Sequence, residues 1–159
     1  MNPNVPELPL ALIKSYFEIA LAEANVAGQS GEVPVGAIVV KNGIIIGRGH
    51  NQKEYFSDPI QHAEIIAIQD ACKSTGNWRL DDCILVSTLE PCPMCAGAIL
   101  HARIAKVYFG AFDLKWGAAG TKTDLFSTVF FNHRTIATHI EYDECAQILT
   151  NFFKQLRQN

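Results

Sequence analysis

The chain has 159 residues, of which 48% are apolar and 18% charged, with a formal net charge of −3. That length suits one domain with a core of its own, and that composition excludes long disordered segments. No apolar run approaches the roughly 20 residues of a membrane span, and the slight acidity argues against a large nucleic-acid footprint, which needs clustered Lys and Arg. Residues 1–8 lack a basic start and carry Pro3 and Pro6, so no secretion signal is read there and the cytosol is the expected location.

Pro9 stands where a helix can begin, and Leu10, Ile13, Phe17, Ala20 and Ala24 recur at helical spacing until Gly28. Val35–Lys41 reads as a strand, Asn42-Gly43 as a tight turn and Ile44–Gly49 as the returning strand of a hairpin. From Ala63 to Cys72 apolar residues spread around most of a helix's circumference, which marks a buried helix. Cys83–Thr88 is a short apolar run suited to a central strand. A helix is predicted from Pro91 to about His101 and a strand over Lys106–Gly110. Ala111–Asp124 is a loop with Gly117 and Gly120 and no clear period, the kind that is more often functional than decorative. Thr135–Glu141 and Asp143–Leu156 complete the pattern as a last strand and a terminal amphipathic helix. Without repeats or linkers, the chain reads as one domain over residues 1–159, with its core over about 9–156. The class is α/β, a mixed sheet with helices on its faces.

Five cysteines in a reducing compartment do not suggest a disulfide framework, and only Cys92 and Cys95 are close together. Cys72, Cys83 and Cys145 sit among apolar neighbours and read as core residues. Cys92 and Cys95, three apart, put both sulfurs on one helix face. Pro91 and Pro93 would fall in the first turn, where a missing amide hydrogen costs nothing. The free amides of that turn favour thiolate, the form that binds metal. His62 adds an imidazole. Three ligands with no evident fourth describe an open, catalytic metal site rather than a closed structural one.

Glu64 is constrained by geometry. Residues two apart on a helix point about 200° apart, so His62 and Glu64 converge only if the metal lies off the helix's N-terminal end. Beside zinc-bound water, whose pKa falls to about 7, a carboxylate there can accept a proton and later deliver it. A thioredoxin-like redox pair would leave His62-x-Glu64 unexplained, and a structural zinc knuckle would need a second Cys/His pair at finger spacing, which is absent. His50, His101, His133 and His139 read as surface or hydrogen-bonded histidines.

His-x-Glu followed by Pro-Cys-x-x-Cys is the signature of zinc nucleobase deaminases. Around it, Glu32-Val33-Pro34-Val35-Gly36-Ala37, Gly49-His50-Asn51, Thr88–Ala98, Gly117-Ala118-Ala119-Gly120 and Asn132-His133-Arg134 resemble the bacterial tRNA-specific adenosine deaminases, in the family's order, from about Tyr16 to Phe153. The resemblance implies a three-layer α/β/α, cytidine-deaminase-like fold with a five-stranded mixed sheet, a homodimer, and conversion of the wobble adenosine of a tRNA anticodon to inosine with release of ammonia. It implies one zinc ion per chain on His62, Cys92 and Cys95, with Glu64 as proton shuttle. Asn51 would contact the edge of the flipped base, helped by the Ala63 amide. Val33, Pro34 and Val35 would line the pocket, and Asp113 would lie near the neighbouring nucleotides. An anticodon stem-loop would be held by a local basic patch drawn from Arg48, Lys53, Lys106, Lys115 or Lys122. A free-base (guanine or cytosine) deaminase of the same fold, or a non-catalytic partner subunit, is the alternative.

Overall fold

The computed structural model describes residues 5–159; the first four residues of the segment read as lacking a leader lie outside the described residues. The chain runs α1 (Leu10–Gln29), β1 (Gly36–Lys41), β2 (Ile44–His50), α2 (Lys53–Phe56), α3 (Ala63–Thr75), β3 (Cys83–Leu89), α4 (Pro93–His101), β4 (Lys106–Ala111), β5 (Ile136–His139) and α5 (Asp143–Gln158). The predicted elements are all present; the last strand is shorter than expected, and the one-turn α2 has no counterpart in the sequence reading. Asn42 and Gly43 both have positive φ, at 51° and 79°, the backbone that a two-residue hairpin turn requires.

Among the described residues five strands form one sheet in the order β2-β1-β3-β4-β5. β1 is antiparallel to β2 and β3, while β3, β4 and β5 run parallel. The sheet separates two cores, because successive strand residues face opposite sides. Ala37, Val39 and Leu85 pack with Ala67 of α3 and Ile99 of α4. Ile38, Val40 and Val86 pack with Phe17 of α1 and Cys145 of α5. The expected three layers are therefore present, with α3 and α4 on one face and α1 and α5 on the other.

α3 lies unusually close to β2. A Cβ on Gly47 would overlap the carbonyl oxygen of Ala67, and one on Gly49 that of Ala63. β4 and β5 are parallel, so the chain must return along the sheet's full length between them; residues 112–135 do so without a helix. The beginning of that return, at the C-terminal ends of β3 and β4, borders the functional site.

Candidate metal centre and active site

β3 and β4 deliver the chain to one end of the sheet, and both helices that carry site residues start there. His62 is extended (φ −81°, ψ 152°) and caps α3, so Ala63 and Glu64 are its first two helical residues. Cys92 likewise caps α4, with Pro93 in the first position and Cys95 in the third. Pro91, expected in the first turn, lies outside the helix. Its carbonyl instead accepts the Ala118 N–H at 2.9 Å.

Nδ1 of His62 is 3.6 Å from Sγ of Cys92 and 3.5 Å from Sγ of Cys95, and the three donor atoms lie within 4.8 Å of one another. On a tetrahedral ion with bonds of about 2.0 Å to nitrogen and 2.3 Å to sulfur, nitrogen and sulfur stand roughly 3.5 Å apart. The donor set and its spacing therefore fit a metal ion of that kind. Cys95 is fully buried, Cys92 and His62 half-buried, so access is from the Cys92 side.

Glu64 sits against this group, its Oε2 3.5 Å from Sγ of Cys95 and its Oε1 3.4 Å from the Ser87 hydroxyl. The condition set by helix geometry is met: the metal group lies off the end of α3, and the capping residue and the second helical residue both reach it. Burial raises the Glu64 carboxyl to about 7. The Cys95 thiol, donating toward Cys92, and then the His62 imidazole lower Cys92 to about 4. His62 is raised, chiefly by its bond to Cys92, and Cys95 is raised by its bond to Cys92 and by burial. The cysteine pair thus yields one thiolate readily, at Cys92.

Asn51 is buried and joins two segments: its Oδ1 accepts the Ala63 N–H at 2.9 Å and its Nδ2 donates to the Val33 carbonyl at 3.1 Å. It therefore fastens the start of α3 to the Val33-Pro34-Val35 segment. The Ala63 amide is occupied by this bond. Asp113 lies on the loop after β4, where its Oδ1 accepts the N–H groups of Lys115 and Trp116 at 2.9 and 3.0 Å.

Of the candidate cations, Lys53 is close enough to His62 to lower its pKa, and Lys115 and Lys122 are exposed in the loop after β4. Lys106 stands at the opposite end of the sheet, where β4 begins, and donates to the Pro6 carbonyl. Cys72, expected in the core, is half-buried near the end of α3. His50 pairs with Glu23 at 2.9 Å, His133 bonds the Ile104 carbonyl and His139 stacks on Phe112.

The sequence reading missed Glu90, fully buried between β3 and Pro91. Its one signal was position: an acid between an apolar strand and the metal-ligand turn is rarely buried unless it has partners.

The sequence matches the MafB19-like deaminase family over residues 13–157. It is 46% identical over 144 residues to a tRNA-specific adenosine deaminase of Bacillus subtilis, covering 90% of this chain and 89% of that protein. To another, of Aquifex aeolicus, it is 44% identical, covering 92% and 97%. The chain belongs to the tRNA-specific adenosine deaminase family. The deaminase superposes with a TM-score of 0.82 and 40% identity on a solved structure from a study of A-to-I editing by tRNA deaminases at the wobble position, covering 86% of this chain and 99% of that one. With a Bacillus subtilis guanine deaminase the TM-score is 0.61 and the identity 33%, over 92% and 94% of the two chains.

Proposed function

We propose that this chain is a zinc-dependent deaminase that converts the wobble adenosine of a tRNA anticodon to inosine. The observation that carries the reading is the convergence of His62 Nδ1, Cys92 and Cys95 at the spacing of a tetrahedral ion, with the Glu64 carboxylate beside them. The family supports the substrate. His62, Cys92 and Cys95 would hold one zinc ion per chain, which as a Lewis acid makes water nucleophilic near neutral pH. Glu64 would take one proton from the attacking water and deliver it to the ring nitrogen, where it stays in the product, then take the second proton from the new C6 hydroxyl and deliver it to the amine, which leaves as ammonia. Its buried position keeps bulk water from competing for these protons. Asn51 uses one acceptor lone pair and one donor hydrogen internally, which leaves one of each for the edge of an extruded base. Val33, Pro34 and Val35 form the adjacent pocket wall, and Asp113 holds the loop that meets the flanking nucleotides.

The 159 residues act as one catalytic domain, working in the cytoplasm as a homodimer. The tRNA substrate and the five unpaired cysteines support the location, and no described helix is long and apolar enough to cross a membrane. Apolar side chains left exposed, such as Phe130 and Val129, support association.

The test is Glu64→Gln assayed on an anticodon stem-loop by inosine formation and ammonia release. The variant should keep its zinc and lose about 10²–10⁴ in rate or more, since one positioned group serves successive transfers. A wild-type protein that preferred free guanine or cytosine would transfer the assignment to the free-base reading, which the guanine deaminase likeness favours next. Inactivity on all three would favour the partner subunit.

A further inference from the structure

Glu90 is 1% exposed and separates β3 from the Pro91-Cys92 turn. Its two carboxylate oxygens accept four hydrogen bonds from one loop. Oε2 accepts from the Asp113 N–H at 3.0 Å and the Thr121 hydroxyl at 2.6 Å. Oε1 accepts from the N–H groups of Ala119 and Thr121 at 3.0 and 3.1 Å. One side chain thus ties both ends of the 112–121 loop. Its own N–H donates to the Ala111 carbonyl at 2.8 Å, and the Ala118 N–H reaches the Pro91 carbonyl, so the loop is fastened to the chain on both sides of Glu90. The carboxylate is enclosed tightly. A Cβ on Gly117 would stand 2.5 Å from Cδ of Glu90 and 2.6 Å from the Asp113 carbonyl oxygen.

The tip of this loop is the opposite in character. Asp113 closes a turn on the amides of Lys115 and Trp116, which leaves Leu114 74% and Trp116 66% exposed, with Lys115 exposed between them. β3 and β4 are parallel neighbours, so the loop leaves the sheet at the end where the metal group lies. A cation and an exposed indole on a loop that leaves the sheet at this end match what single-stranded RNA offers: a phosphate and a splayed base.

We infer that Glu90 is a positioning residue for the RNA substrate, holding the 112–121 loop against the Cys92 turn so that Lys115 and Trp116 stand beside the metal group. The inference rests on the tRNA reading and extends it to a residue that touches neither the metal ligands nor the reacting atoms.

Glu90→Gln keeps the buried volume but turns one acceptor oxygen into an NH₂ group, which must face at least one of the loop's N–H donors. One end of the loop is then released. Zinc-loaded protein is assayed for kcat and KM on an anticodon stem-loop, with zinc content and Tm measured alongside. A lost hydrogen bond to a charged group corresponds to about tenfold or more. Glu90→Gln should therefore raise KM about tenfold, leave kcat within about threefold and keep one zinc per chain. Stem-loop affinity, read by fluorescence anisotropy in the Glu64→Gln background, should weaken by the same factor. Gly117→Ala strains the same clamp from the loop side and should give the same split. If Glu90→Gln fails to fold, Gly117→Ala and the milder Thr121→Val decide. Loss of zinc or of kcat at unchanged KM would show that Glu90 serves the metal turn, and a lower Tm with both constants unchanged would show a purely structural role; either overturns the inference. A wild-type enzyme that ignores the stem-loop overturns the tRNA reading and this inference together. A wild type that uses it, beside variants with unchanged KM, overturns this inference alone.

Discussion

Gly49 lies in β2 directly beneath the first turn of α3, and replacing it with alanine tests how the sheet sets the metal group. The added Cβ would overlap the Ala63 carbonyl oxygen and stand 2.5 Å from the Ala67 nitrogen and 3.0 Å from the Ile66 Cβ. Ordinary non-bonded separations are about 3.5 Å, so the helix must retreat by about 1 Å at its N-terminal end. Overpacking of this kind costs about 1–3 kcal/mol, or roughly 2–4 °C in Tm per kcal/mol for a chain of this length. The functional effect should be larger. His62 and Glu64 move with α3, while Cys92 and Cys95 stay with β3 and α4, and metal bonds tolerate only about 0.2 Å. Zinc affinity should fall about 10–100-fold, as when supporting contacts of a ligand are lost, and activity about 10²-fold for a displacement of this size. Gly47→Ala is the control. Its Cβ would overlap the Ala67 carbonyl oxygen and approach the Ala71 nitrogen to 2.7 Å, one helical turn farther from the metal ligands. Both variants should lose similar stability in thermal melts, but only Gly49→Ala should surrender zinc readily to a chromophoric chelator. Equal zinc release from the two, or wild-type affinity in Gly49→Ala, would refute the reasoning.

Asn51→Ala removes both the acceptor for Ala63 and the donor to Val33, so urea denaturation should show a loss of about 1–2 kcal/mol. Asn51→Asp, which keeps the acceptor at the start of α3, should recover part of it. Thiol labelling at pH 8 should separate the five cysteines. Burial pushes Cys83 up to about 11 and Cys145 up to about 12, so below those values each remains a thiol and reacts only after unfolding. Cys72, half-buried, should label slowly in the native protein. Adding a chelator should bring in Cys92, the more accessible of the two metal-ligand cysteines; labelling of Cys92 at the same rate with zinc bound would count against its role as a ligand.

Much of the site was readable because its logic is local. Asn42-Gly43 turns where it does because those residues accept positive φ. Cys92 and Cys95 share a helix face because covalent spacing and helical pitch put them there. His62 and Glu64 were limited to one arrangement by the same pitch, and α3 adopts it. Apolar periodicity likewise announced α1, whose buried face (Ile13, Phe17, Ala20 and Ala24) is written in its own residues; α3, read as apolar on most sides, buries one face and exposes Gln69 and Asp70, and α5 buries only Cys145.

What escaped the sequence depends on contacts between distant segments. The order β2-β1-β3-β4-β5 follows from which apolar faces pack together, and no single strand's pattern encodes its neighbour. The position of Lys106 at the far end of the sheet became plain only once β4 was seen to run parallel to β3. Glu90 shows the limit most clearly. Its carboxylate finds partners 23 to 31 residues away, and nothing local could have named them. The candidate metal donors were determined by residue type, with Cys92 and Cys95 at short spacing and His62 30 residues before Cys92; a buried acid such as Glu90 is tolerable only where distant donors converge on it, and that convergence is decided by the tertiary structure.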